Sequence, residues 1–218
     1  MLSQSVQDYL KTIFELRQVS ERVTTNALAE QLDVAPASVT GMIKKLAELK
    51  LVEHAPYQGV SLTAAGEKMA LAIVRHHRLI ELYLTEALGY SWDKVHEEAD
   101  RLEHAISEEF ADKISTLLGD PKVDPHGDPI PSKDGTIAAF SIHTLDQVPA
   151  GHTVRIERVR DEVPEVLRHI ATLGLLPGTI VDVSRTDPEN SLAVTLGHGE
   201  TQTISHEVAR SIYVVDMN

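Results

Sequence analysis

The 218-residue sequence contains no cysteine. Disulfides, a thiolate nucleophile and thiolate metal ligands are therefore excluded, and the absence suits a reducing cytosol. Nor is there an apolar run approaching the ~20 residues of a membrane-spanning helix. Met1-Leu2-Ser3-Gln4 opens directly into an amphipathic pattern, without a basic-then-apolar signal segment. A soluble, cytoplasmic protein with no membrane partner is expected. Internal repeats and low-complexity tails are also missing. The length exceeds a usual single domain and points to two or three compact units, each able to bury a core without covalent staples.

An excess of positive charge is missing too. The formal net charge is −13, which at first argues against a nucleic-acid partner. Its distribution reads differently. Residues 1–65 carry six Lys/Arg against seven Asp/Glu and are nearly neutral. Residues 66–140 carry eight against fifteen, and residues 150–218 carry six against ten. With 11 histidines beside this acidity, the rear of the chain is suited either to holding cations or simply to solubility.

The periodicity predicts a first helix from about Ser3 to Val19, with Val6, Tyr9, Leu10, Ile13 and Phe14 on one face. Thr24 or Thr25 can cap a second helix that turns Ala27, Leu28 and Leu32 inward. After the turn Asp33-Val34-Ala35, Pro36 suits the first turn of a third helix, which continues through Val39, Ile43, Leu46 and Leu49. Leu51–His54 and Gly59–Leu62 read as two short strands around a Pro56–Gly59 turn. This is the order of a winged helix-turn-helix. Thr63 can cap a long helix from about Ala64 to Ala87, and Gly89 separates it from another, from Trp92 to about Leu118. The Pro/Gly/Asp-rich stretch from Gly119 to Gly135 reads as loop. Beyond it, β-like runs at His152–Val159, Thr179–Ser184, Ser191–Leu196 and Ser211–Val215 surround a short helix near Pro164–Leu173. The fold class expected is mainly α with a small β-barrel-like part. Its segments are a DNA-binding domain over 1–65, a helical domain over 66–140, and a linker end with a β domain over 141–218.

A recognition helix entering the major groove needs small or polar residues at its exposed N-terminal end. Pro36, Ala37, Ser38, Thr40 and Gly41 meet that need, and Lys44 and Lys45, one turn on, can neutralise phosphates. Tyr57, with Gln58, stands at the wing tip, where it can touch the DNA backbone. A plain helical hairpin is the alternative, and the hairpin of strands that follows argues against it. The long helices carry a second pattern. His77 and Glu81 are four apart and share a face. His96, Asp100, Glu103 and His104 share another, over ~12 Å at the rise of an α-helix. Imidazoles and carboxylates directed into one inter-helix space form a divalent-metal environment, whereas carboxylates gathered without a cation repel one another. Taken singly, such pairs are more often surface contacts.

These residues together resemble the diphtheria toxin repressor family of metalloregulators over almost the whole chain. The resemblance is carried by QDYLKTIFEL from Gln7, the helix-turn-helix up to Gly66, RHHRLIELYL from Arg75, KVHEEADRLEH from Lys94 and DPHGDPIP from Asp124. It implies a DNA-binding domain, a helical dimerisation and metal-binding domain, and a C-terminal SH3-like β-barrel. It also implies a homodimer that binds double-stranded operator DNA when loaded with iron or manganese. Carried over by position, a primary, activating site comprises Asp8, Asp100, Glu103 and His104. An ancillary site comprises His77, Glu81 and His96, with Asp161 from the C-terminal domain and Glu157, near Arg158, as the weaker candidate. Iron-responsive members have Met and Cys where this chain has Asp8 and Asp100. The hard carboxylates favour Mn(II), with Fe(II) also acceptable to an N/O set. Compact manganese-responsive members have a second acidic residue where Lys11 stands, so two separate metal sites per chain are expected rather than a metal pair. A winged-helix regulator of an organic ligand and a binuclear metallohydrolase are the rival readings.

Overall fold

A computed structural model of the chain describes residues 2–20, 22–55, 59–160, 163–187 and 191–217. Two compact units are formed. The first comprises Met1–His77, Leu102–Ser107 and Pro131–Ile137; the second comprises Arg78–Arg101, Glu108–Ile130 and Ala138–Asn218.

In the first unit, helix α1 (Gln4–Val19) precedes α2 (Thr25–Gln31) and α3 (Pro36–Glu48). The α1 residues Val6, Tyr9, Leu10, Ile13 and Phe14 are all buried, as their spacing demands. Thr24 Oγ1 accepts a hydrogen bond from Ala27 N at 3.1 Å and fixes the start of α2. Val39, Ile43 and Leu46 are the buried stripe of α3. Leu49, expected to continue the helix, is its exposed C-cap. Strands β1 (Val52–Ala55) and β2 (Gly59–Leu62) pair antiparallel, Val52 opposite Leu62 and Ala55 opposite Gly59. The start of α4 (Ala64–Leu88) closes the same core through Ala70, Leu71 and Val74. Thr63 Oγ1 caps this helix by accepting from Gly66 N.

The single helix expected from Trp92 to Leu118 is two. Helix α5 (Val95–Leu102) ends in a turn, with Ala105 N donating to Leu102 O, and α6 (Glu108–Leu117) starts afterwards. Glu103 and His104 therefore do not continue the α5 surface that carries His96 and Asp100. Their partners lie on α1, and tertiary contacts override the helical propensity of the segment.

In the second unit, a five-stranded antiparallel sheet has the order β6-β5-β4-β3-β7. Its strands are β3 (Thr153–Val159), β4 (Ile180–Asp187), β5 (Ser191–Leu196), β6 (Thr201–Ser205) and β7 (Ile212–Asp216). Helix α7 (Pro164–Thr172) and the short α8 (His206–Ala209) complete it. The strand β6 went unread in the sequence because its alternation, Thr-Gln-Thr-Ile-Ser, buries only Ile204 deeply. The loop over residues 119–130 lies against this sheet: Val159 N donates to His126 O at 2.9 Å. Gly127, at φ +91°, permits that approach, since a Cβ there would stand 2.2 Å from Glu157 O. No helix among the described residues is long and apolar enough to cross a membrane.

Candidate functional site

Each unit holds a cluster of nitrogen and oxygen ligands within itself. The first joins α1 to the turn after α5. His104 Nε2 lies 2.8 Å from Asp8 Oδ1 and 3.4 Å from Glu103 Oε1. The other ring nitrogen, Nδ1, is 2.8 Å from Gln7 Oε1. Donation from Nδ1–H to that carbonyl oxygen aims the ring and leaves Nε2 as the atom presented to the carboxylates, the arrangement that prepares an imidazole for a metal. Asp8, Glu103 and His104 each offer a ligand atom within 4.8 Å of the others.

Glu103 is nearly sealed from water, and its second oxygen, Oε2, lies 2.8 Å from Lys11 Nζ and 2.6 Å from His77 Nδ1. Burial alone would raise its carboxyl. The hydrogen bond from His77 and the charge of Lys11 outweigh burial, so Glu103 titrates below the ordinary glutamate value. Asp8 moves the other way: burial raises it, and Glu103 adds to the rise against the pull of His104 and Lys11.

The second cluster is Glu81, Asp124 and His126, all buried. Glu81 comes from α4 and the other two from the loop against the sheet. His126 Nε2 is 2.8 Å from Trp92 O, and its ring stacks on Trp92 at 5.4 Å between centroids. Donation to that carbonyl turns Nδ1 toward Glu81 Oε2 across 3.9 Å. This gap is too long for a hydrogen bond and fits an ion bound to both atoms. Asp124 Oδ1 accepts from the backbone N–H groups of His126 and Asp128, at 2.8 and 3.0 Å, which holds the loop closed. Burial, then the neighbouring Asp128 and Glu81 charges, push its carboxyl well above the usual aspartate value. Arg78 Nε, 3.6 Å from Asp124 Oδ2, offsets part of this charge, and the two carboxylates with one imidazole are a donor set that fits a divalent metal.

The expected ligands are thus distributed as follows. Asp8, Glu103 and His104 come together, and His77 adjoins them through Glu103. In the second unit, Glu81 Oε1 faces His96 Nδ1 at 3.2 Å, and His96 Nε2 faces Asp100 Oδ2 at 3.7 Å. Asp161 lies outside the described residues. Glu157 is engaged elsewhere, its Oε2 accepting from Ser141 N. Arg158 stacks 3.6 Å from the Tyr213 ring centroid and binds Asp128. The sequence reading missed Asp124 and His126. Their signal was the Asp-x-His spacing in a Pro/Gly-rich segment read as loop, whose turn brings the two side chains toward one point.

On α3, Pro36, Ala37, Ser38, Thr40, Gly41, Lys44 and Lys45 are all exposed, on the side opposite the buried stripe. Thr40 Oγ1 donates to Pro36 O at 3.0 Å, leaving its lone pairs and methyl outward. A Cβ on Gly41 would meet nothing within 4 Å. A glycine inside a helix costs about 0.5–1 kcal/mol relative to alanine, and no packing in this unit requires it. Tyr57 lies outside the described residues.

Three family models match in succession. They are the iron dependent repressor N-terminal DNA binding domain over residues 1–60, the iron dependent repressor metal binding and dimerisation domain over 63–132, and the FeoA domain over 143–216. The iron-dependent repressor IdeR of Mycobacterium leprae is 29% identical over 219 residues, covering 94% of each chain. A solved manganese-dependent transcriptional repressor in complex with manganese is 37% identical, with TM-score 0.92, covering 97% of this chain and 100% of that one. The structure of ScaR with bound Cd2+ is 31% identical, with TM-score 0.83 and coverage of 97% and 99%. These models and relatives describe DNA-binding regulators, not an enzyme. The chain therefore belongs to the iron-dependent repressor, or diphtheria toxin repressor, family of metal-dependent transcriptional repressors.

Proposed function

We propose that this repressor responds to Mn(II), with Fe(II) as the second ion its donors accept, and that it binds operator DNA as a homodimer. The observation that carries this reading is the cluster of Asp8, Glu103 and His104, built only of oxygen and nitrogen donors. Hard carboxylates with one imidazole suit Mn(II) better than the softer ions that sulfur ligands select. The similar chain solved with manganese agrees with that choice. In this reading Asp8, Glu103 and His104 hold the activating ion, and Glu81, Asp124 and His126 hold a second. His96 stands between Glu81 and Asp100, and Asp161 remains a candidate for the C-terminal contribution.

The bound ion supplies positive charge and directional bonds to three side chains. Asp8 contributes from the winged-helix part, while Glu103 and His104 contribute from the turn joining α5 to α6. Their shared ligation fixes α1 against that turn and favours one orientation of α3, a shift of population among orientations. Ser38 and Thr40 then read base edges, Lys44 and Lys45 contact phosphates, and Pro36, Ala37 and Gly41 permit close approach to the groove. Tyr57 is proposed for the backbone contact of the wing. Exposed Leu88, Tyr90, Phe110 and Leu117 supply apolar surface for a second copy of the chain.

The test is fluorescence anisotropy on a duplex selected by the protein from a random pool, against a panel of divalent metals. Mn(II) is expected to tighten binding at least ~10-fold, about 1.4 kcal/mol of coupling. Equal affinity with chelator and with Mn(II) would overturn the reading.

A further inference from the structure

The turn between α4 and α5 carries the one tryptophan of the chain, and two partners within the second unit hold it. The first is the loop of residues 124–128. His126 Nε2 donates to Trp92 O at 2.8 Å, and the imidazole stacks on the indole with 25° between the ring planes. The second is the β domain. Trp92 packs against the core of that domain. Its neighbour Asp93, with a side chain only 7% exposed, accepts at Oδ2 from Arg168 Nη1 of α7 at 2.7 Å. Arg168 Nη2 binds Glu165, one turn earlier on the same helix, at 2.6 Å, so the guanidinium fork is aimed. The Arg168 bond holds the Asp93 carboxyl below the usual aspartate value, as pairing of the charged form requires. A histidine ligates a metal through one ring nitrogen when the other N–H has a fixed acceptor. For His126 that acceptor is a backbone carbonyl, and a carbonyl is only as well placed as the turn that carries it.

We propose that Trp92 is the positioning residue for His126 and that Arg168, through Asp93, braces it from the C-terminal β domain, so that this domain sets the metal affinity of the second cluster through residues that ligate nothing. The proposal rests on the reading of Glu81, Asp124 and His126 as a metal site. Trp92 restrains His126 twice. Its carbonyl selects the Nε2–H tautomer, which leaves the Nδ1 lone pair toward Glu81, and its indole limits rotation of the imidazole. The contributions separate by substitution. Trp92→Leu removes the stack and keeps the carbonyl. Arg168→Ala keeps both and frees the turn, and because Arg168 is half exposed its truncation opens no cavity in the core. Arg168→Lys keeps a cation for Asp93 and loses the fork.

The experiment titrates the full metal-free chain with Mn(II) and follows the emission of Trp92, which the paramagnetic ion quenches on binding beside His126. Asp124→Asn identifies the quenching phase that belongs to this cluster. Imidazole nitrogen NMR of the metal-free protein reads the tautomer of His126 in parallel. The wild type is expected to hold the Nε2–H tautomer. Arg168→Ala is expected to raise the half-saturating Mn(II) concentration by ~10-fold, the low end of the ~10–100-fold that loss of support behind a ligand costs, and to mix the tautomers. Arg168→Lys is expected to restore most of both. Trp92→Leu, followed by calorimetry because the fluorophore is gone, is expected to weaken binding at least as much as Arg168→Ala. Unchanged affinity and tautomer in Arg168→Ala overturn the proposal, and so does a variant that loses stability in urea with both unchanged, the mark of a purely structural pair. Should Trp92→Leu fail to fold, Arg168→Ala and Arg168→Lys still decide. No quench in the wild type, or one that Asp124→Asn leaves intact, removes the metal reading and the proposal with it.

Discussion

Glu103 and Asp8 both face His104, yet the structure predicts very unequal consequences for the metal-free protein when each loses its charge. Glu103 is 2% exposed and binds a Lys11 ammonium that is itself 9% exposed. Glu103→Gln keeps the shape but strands that ammonium. Removing one partner of a buried ion pair costs about 3–5 kcal/mol, and the remaining amide oxygen, still an acceptor, places the expected loss near the lower end. Asp8 is 37% exposed in its side chain, so Asp8→Asn falls in the range of solvent-screened pairs, about 0–1 kcal/mol. The assay is amide hydrogen exchange in the presence of chelator, read on α1 and residues 102–107, where local opening is measured directly. Glu103→Gln is expected to raise the opening equilibrium there by roughly two decades, corresponding to about 3 kcal/mol. Asp8→Asn is expected to change it less than about fivefold on the same scale. Both variants should nevertheless lose Mn(II) at this cluster by more than the ~10–100-fold that loss of an outer-shell partner costs. Adding Lys11→Met to Glu103→Gln removes the stranded charge and should restore much of the protection, a coupling that a double-mutant cycle isolates. Equal exchange in the two single variants, or no restoration in the double, would refute the assignment of Glu103 as a buried partner of Lys11.

Three further outcomes are expected. Gly41→Ala should stabilise α3 by about 0.5–1 kcal/mol, because the added Cβ enters open space, and yet weaken operator binding in anisotropy; a gain in both, or a loss in both, removes Gly41 from the interface. Lys44→Ala and Lys45→Ala should each weaken binding to all sequences and lower its salt dependence by about one unit of slope. In the second cluster, the raised carboxyl of Asp124 favours the folded metal-free state at low pH, and that contribution is lost as pH rises through the raised value. Since a metal needs the carboxylate, Mn(II) uptake there should release protons and strengthen with pH. Calorimetry in buffers of different ionisation enthalpy measures this release, and Asp124→Asn should abolish its share; an unchanged release would contradict the placement of Asp124 at the ion.

Much of this was legible because periodicity and capping are local. The buried stripes of α1 and α3, the caps at Thr24 and Thr63 and the β1–β2 hairpin follow from residues a few positions apart. The helix break after Leu102 was not legible, since it depends on partners of Glu103 and His104 that are distant in sequence: Lys11, His77, Gln7 and Asp8. A helical wheel therefore placed Glu103 and His104 on the α5 surface, whereas the structure brings them beside Asp8. Asp124 and His126 were hidden for the complementary reason. Their convergence is made by a turn that Gly127 presses against β3, and turns carry no periodic signal.

On the proposed reading the composition of the two clusters gives them different tasks. In the first, Asp8 belongs to the winged helix, and Glu103 and His104 belong to the turn between α5 and α6, so its ligands are contributed by separate elements of one unit. A ligand shifts a conformational equilibrium only by the difference in its affinity for the two states. That difference is large where α1 must be in place for Asp8 to reach the ion. Lys11 modifies this in an instructive way, because its bond to Glu103 already ties α1 to the turn without any metal. The work left for the ion is therefore the smaller step of holding the half-exposed Asp8, which already meets His104 at 2.8 Å. In the second cluster Glu81, Asp124 and His126 all stand within the other unit, none of them on the winged helix. An ion there relieves the mutual repulsion of Glu81 and Asp124 and stiffens the loop of residues 124–128 against β3. On the proposed reading its effect on DNA binding is consequently indirect, and activation by metal rests on Asp8, Glu103 and His104.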